Sequence, residues 1–271
     1  MCEKMKKIKK TANTKNSNGR LPGGVAELIA AIGTIALVAL LIFGIHYLVT
    51  KPWVKNGIMD DNSAPGKDSP TQTIMNPIPV ENVAYPFKLT EELTVDKVYT
   101  ATGYFPEDGT DEAMEKVLAV KLTNSSEKTL EYLTFTLNVS GESYKFAAAT
   151  VPAKKSVYVF NTKSKTAPEK VSSLEGDVEF EIYFAEEPSK KTESLSYSVK
   201  TGSIVVKNIS EKDIKSDIMV YYKSTADGGY LGGITYRFRI KGGLEAGKSF
   251  SAYAPHSYAH MTEIMFVQYD E

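Results

Sequence analysis

The chain has 271 residues, 24% of them charged and 42% hydrophobic, which suits one or two ordinary domains with attachments. Its net charge of -1 conceals an asymmetry: seven basic residues and one acid precede residue 21, whereas 25 basic and 31 acidic residues follow from Lys51 on, a net of -6. That acidic body argues against nucleic-acid binding by the main part of the chain, since phosphate neutralisation needs a basic face.

Residues 1–24 form a basic tail with Lys4, Lys6, Lys7, Lys9, Lys10, Lys15 and Arg20. Cys2 precedes the apolar run that follows and so cannot be a lipoprotein acceptor; a free or palmitoylated thiol is expected. Residues 25–50 read as a transmembrane helix. Its apolar run, Leu28 to Val49, has 22 residues and reaches roughly 33 Å at the rise of an α-helix, enough to cross a hydrocarbon core. No small-x-small cleavage site follows it, so an uncleaved anchor is expected. The lysines before it place the N-terminus in the cytoplasm and everything after Lys51 outside. Within it, Ala26, Ala30 and Thr34 form a row of small residues, a candidate face for packing on another membrane helix.

Residues 51–86 are rich in proline and small polar residues and lack periodicity, the composition of an extended stalk. From Phe87 on, segments such as KVLAVKLTN, LEYLTFTLNVS and DVEFEIYFAEE alternate apolar with polar residues and favour Val, Tyr, Phe and Thr. Short strands between Gly, Asn, Ser and Pro turns indicate a β-sandwich or barrel. The one helical candidate is TAPEKVSSLEG, with Thr166 as its cap and Pro168 in its first turn.

The pattern then repeats. Asn124, Glu127 and Lys128 recur as Asn208, Glu211 and Lys212 at an offset of 84; Ala153, Lys155 and Ser156 recur as Ala246, Lys248 and Ser249 at an offset of 93. The nine additional residues fit a longer hairpin carrying TADGGYLGG, Thr225 to Gly233. Such repetition predicts two copies of one β module, 87–192 and 193–271. It also disposes of a decoy. GGLEAGKS, Gly242 to Ser249, satisfies the pattern of a phosphate loop, but such a loop must enter a helix. FSAYAPHSY follows instead and reads as a strand, so a hairpin turn is expected and no nucleotide.

Asn208, Tyr222, Asp227, Gly228, Leu244, Gly247 and Ser249 lie in a run of strand, Asn turn, strand ending in Tyr, Asp-Gly hairpin and Leu-x-x-Gly-x-Ser turn. In these residues the second module resembles the bacterial FxLYD-type extracytoplasmic domain, a small immunoglobulin-like sandwich. The first module keeps Asn124 and Ser156 and lacks the Asp-Gly hairpin and the turn glycine. The resemblance implies an immunoglobulin-like fold and an envelope setting, with no shared catalytic chemistry.

Chemistry-bearing clusters are few. His256 and His260 stand four apart, with Glu263 beyond them, but in a segment that follows a proline and joins two strands. No Gly-x-Ser-x-Gly elbow is present, and acid pairs such as Glu186–Glu187 suit solvated turns. No catalytic, cofactor-binding or metal-ligating residue is therefore assigned, and no cofactor. The candidate interaction loop is Asp227, Gly228, Gly229, Tyr230 and Leu231, with Tyr230 expected at an exposed, glycine-flanked tip. The sequence thus predicts an all-β protein: two tandem immunoglobulin-like sandwiches behind one transmembrane helix and a stalk. The expected function is non-catalytic binding or assembly at the cell envelope, with the lipid bilayer and an envelope or membrane protein as partners. The alternatives are an accessory subunit of a membrane complex and a metal-dependent envelope enzyme built on the histidine pair.

Overall fold

A computed structural model describes residues 73–110 and 112–270. The expected basic tail, the membrane helix with Ala26, Ala30 and Thr34, and the stalk as far as residue 72 lie outside the described residues. The strands of the first half are β1 (Ile74–Pro77), β2 (Phe87–Lys88), β3 (Leu93–Tyr104), β4 (Ala113–Asn124), β5 (Leu130–Val139), β6 (Glu142–Val151), β7 (Lys155–Phe160) and β8 (Leu174–Tyr183). Those of the second are β9 (Leu195–Lys200), β10 (Ser203–Asn208), β11 (Ile218–Ala226), β12 (Gly229–Ile240), β13 (Ser249–Tyr253) and β14 (Thr262–Gln268). No helix occurs among the described residues.

The alternation in the sequence becomes the two faces of each strand. In β5 the buried positions Leu133, Phe135, Leu137 and Val139 alternate with more exposed ones, as a half-buried antiparallel strand requires. Phe135 lies opposite Phe146 of β6 with the rings stacked 5.0 Å apart, a cross-strand aromatic pair in the first core. Burying each such ring contributes roughly 2–3 kcal/mol.

The repeat appears as repeated topology. In the first half β3-β4-β7 and β6-β5-β8 form two three-stranded sets; in the second, β9-β10-β13 and β12-β11-β14 do the same. The halves repeat one strand connectivity, consistent with β-sandwich packing: one buried cluster holds Leu118, Val120, Leu133, Phe135 and Val159 together with Tyr230, Met265 and Phe266 of the second half, and another holds Ile204, Val206, Val220 and Tyr222. They also share a sheet. β12 runs parallel beside β7, Tyr230 opposite Val157 and Leu231 opposite Tyr158, which joins the sets into one sheet ordered β1-β3-β4-β7-β12-β11-β14.

Three sequence expectations need correction. The end of the expected stalk belongs to the first module: β1 pairs with β3, and Ile78 is buried in the core. The alternation there is too short to be read as a strand, and only the waiting edge of β3 makes it one. TAPEKVSSLEG is not helical. Thr166 bridges to Val117 and Val171 to Val80, so long-range pairing overrides a weak local preference. GGLEAGKS is a turn but not a hairpin, because β12 and β13 belong to opposite sheets of the sandwich. Gly242, Gly243 and Gly247 take positive φ there, and a strand follows.

Candidate functional site

The two asparagines that marked the repeat have a shared task. Asn124 donates through its amide to the carbonyls of Lys128 (2.9 Å) and Val151 (2.9 Å), and its oxygen accepts from the Ser126 amide (3.0 Å) and hydroxyl (2.7 Å). Asn208 donates to Lys212 (2.8 Å) and Leu244 (2.9 Å) and accepts from the Ser210 amide (3.0 Å) and hydroxyl (2.8 Å). Both side chains are fully buried. Each ties a tight turn to the sheet-to-sheet crossover, so Asn-x-Ser here is a structural clamp.

The predicted interaction loop lies at the tip of the β11–β12 hairpin, but most of it is not free. Asp227 and Gly228 form the two-residue turn and are exposed, with Gly228 at a φ of 79°. Gly229 lies so close to the Ser156 carbonyl that a Cβ would collide with it. Tyr230 is only 6% exposed and packs in the core of the first module, its hydroxyl donating to Glu263 (3.0 Å). Burial and that carboxylate hold the phenol protonated far above its ordinary range. Leu231 points to the opposite face, against the cluster of Phe105, Met114 and Phe160. The expectation of an exposed aromatic tip is therefore corrected. The hairpin recognises the other half of its own chain, because alternation along a strand that extends a sheet drives Tyr230 and Leu231 into two separate apolar clusters.

Beyond Leu231 the ladder breaks. Between the pairs Tyr222–Tyr236 and Ser224–Leu231, Lys223 of β11 faces the stretch Gly232–Thr235 of β12. That bulge would orphan backbone groups, and two ionisable side chains satisfy them, Lys223 fully buried and Glu107 half-buried. Glu107, from the β3–β4 loop, accepts from the amides of Gly233 (2.8 Å), Ile234 (3.1 Å) and Phe160 (2.8 Å). Lys223 donates to the carbonyls of Gly233 (3.0 Å), Ile234 (2.7 Å) and Ala149 (3.0 Å). The pair thus stitches the bulge to the ends of β6 and β7 in the first module. Burial pushes Glu107 up to about 7, opposed by the Gly233 and Phe160 amides and Lys223. Burial pulls Lys223 down to about 7, opposed by Glu107. With three amides on the carboxylate and three carbonyls on the ammonium, the hydrogen bonds are those of the ionised forms. Sequence reasoning missed both residues: Glu107 sits in a PEDG turn and Lys223 in an alternating strand, where a solvated charge is the ordinary reading. The inserted TADGGYLGG was the one visible sign that this hairpin does something extra.

The histidine pair does not assemble into a site. His256 stacks on Tyr236 at 4.3 Å between ring centroids, while His260 lies exposed with a φ of 65°. Glu263 is engaged instead by Lys190 (2.6 Å) and Tyr230. Among the described residues no group of three or more His, Cys, Asp or Glu is placed to hold a metal. Of the acid pair, Glu187 accepts from the Thr129 amide (3.2 Å) and so pins the inter-module linker.

The surface features that remain are apolar. On the outer face of β5 and β8, Tyr132, Phe180 and Ile182 are 41%, 49% and 42% exposed. On β13, Phe250 and Tyr253 are also exposed. Comparison of the chain with protein-family models, curated proteins and solved structures gives no match.

Proposed function

We propose that this is a non-catalytic, single-pass membrane protein that holds two immunoglobulin-like sandwich modules outside the cell to bind or assemble other envelope proteins. The observation that carries the reading is the shared sheet. Tandem modules joined only by a linker move independently by default. Here the β7–β12 pairing, the burial of Tyr230 and the Glu107–Lys223 stitch join the halves into one unit, suited to presenting surfaces at a set separation and orientation. Assignment of the second module to the FxLYD type belongs to the same proposal. It is supported by the tasks of the residues that carry the resemblance: Asn208 clamps, Tyr222 lies in the core, Asp227-Gly228 turns the hairpin and Gly247 takes a positive φ.

The test is photocrosslinking in native membranes, with a crosslinking residue placed in turn at exposed positions of each module. Protein adducts at one defined surface are expected. Capture of lipid alone from every position would overturn the reading.

A further inference from the structure

The two sandwiches treat corresponding strands differently. β14, the outer strand of the set β12-β11-β14, is covered by the linker between the modules. The Val267 amide donates to Ser189 O (2.9 Å), Phe184 packs edge-on against Phe266 at 5.4 Å, and Lys190 pairs with Glu263 at 2.6 Å. The covering segment is irregular, bends at Ala185–Glu186, and brings one aromatic ring and one cation. β8 holds the corresponding place in β6-β5-β8, and among the described residues it pairs with β5 alone. Among the described residues its outer edge is unpaired, and beside that edge stand Tyr132, Phe180 and Ile182, with the Tyr132 and Phe180 rings 6.1 Å apart.

The charge of this strand says what fits it. From Leu174 to Glu187 the chain carries Glu175, Asp177, Glu179, Glu181, Glu186 and Glu187 and no basic residue. Lys145 meets Glu179 at 2.9 Å, and Glu187 is engaged by Thr129, but Glu175 and Asp177 stay exposed on the strand. A second copy of β8 laid edge to edge would set acid against acid, which protects the edge from self-pairing. A basic strand meets no such barrier.

We propose that the open edge and outer face of β8 form a docking surface for an extended, basic segment of a partner protein. The segment adds as a further strand, its lysine or arginine side chains facing Glu175 and Asp177 and an apolar or aromatic side chain covering Phe180 and Ile182. Backbone hydrogen bonds supply affinity, and the alternation of cation and apolar residue supplies selectivity. The inference rests on the binding role proposed above and names the surface and the chemistry of the partner.

The test uses the full-length chain in detergent micelles and two synthetic peptides, one alternating lysine with valine around a single phenylalanine, the other with glutamate for each lysine. Hydrogen exchange of the β8 amides is the readout. At saturating lysine peptide these amides are expected to exchange about tenfold more slowly, as for a site at ten times its Kd. The glutamate peptide is expected to leave them unchanged. Raising salt from about 0.1 M to about 1 M, which shortens the Debye length from about 10 Å to about 3 Å, should remove most of the protection. Phe180→Ser with Ile182→Ser should abolish it while lowering the melting temperature by only a few degrees, since both side chains are about half exposed. Equal protection by both peptides, no protection at millimolar lysine peptide, or protection that grows with protein concentration alone would each overturn the proposal. If β8 fails while crosslinking captures a partner elsewhere, the binding role stands and only this surface is lost.

Discussion

Glu107 and Lys223 contribute through each other. Removing one takes its hydrogen bonds from the backbone of the bulge and lets burial neutralise the other, so Glu107→Ala and Lys223→Ala should each destabilise by about 1–3 kcal/mol in urea unfolding. The double variant should cost less than the sum of the two; strict additivity would show that they do not interact. The pair also sets a pH dependence. An acid raised from 4.5 to about 7 contributes fully below 4.5 and loses that contribution as the pH climbs through 7. A base lowered from 10.5 to about 7 contributes fully above 10.5 and loses it as the pH falls through 7. Burying both charges is therefore most costly near pH 7. Glu107→Gln with Lys223→Met lacks both titrations, so its stability relative to the natural chain should be most favourable near pH 7 and decline towards pH 4.5 and 10.5. A difference that does not vary with pH would refute this account. The two clamps follow simpler arithmetic. Asn124→Ala or Asn208→Ala strips the amide donor from one buried and one half-buried carbonyl and should cost about 1–3 kcal/mol. A thermal shift near zero for either would mean that water replaces the amide.

At the scale of elements, β12 decides the architecture. Its first residues extend the sheet of the first module, its bulge is closed by two foreign side chains, and its last residues pair within the second module. Gly233 makes this possible, because a Cβ there would collide with the Ala147 carbonyl of β6. Gly233→Ala forces backbone to move against backbone and should destabilise the junction by about 1–3 kcal/mol or more. The expected signature is faster hydrogen exchange in Gly229–Leu231 with β9 and β10 unaffected. Uniform acceleration across both modules would show instead that the whole fold depends on that one approach. The repeat and the strands were legible here, since alternation and the recurring Asn-x-Ser are local signals. The parallel β7–β12 pairing was not: it joins residues more than seventy positions apart, and nothing in either segment names the other.

For the molecule as a whole, the shared sheet predicts cooperative unfolding. A single calorimetric transition is expected for the natural chain. Two transitions are expected for Gly233→Ala, which weakens the junction between the two buried clusters. Two resolved transitions in the natural chain would show that the modules fold independently despite the junction.

Pattern alone determined what is local: strands from period-two alternation, turns from Gly, Asn and Pro, duplication from the recurrence of both, and the absence of a helix after Ser249. Tertiary structure decided what depends on distant partners. Residues from Ile74 became strand because the edge of β3 was there to pair with, and the TAPEKV segment stayed extended because Val117 and Val80 claimed its backbone. Tyr230 passed from presumed surface to core, and Glu107 and Lys223 from presumed solvent to the buried seam. The physical reason is common to all of them. Burial and hydrogen-bond satisfaction belong to a residue's surroundings in space, and a residue's identity fixes only what it can offer when those surroundings arrive.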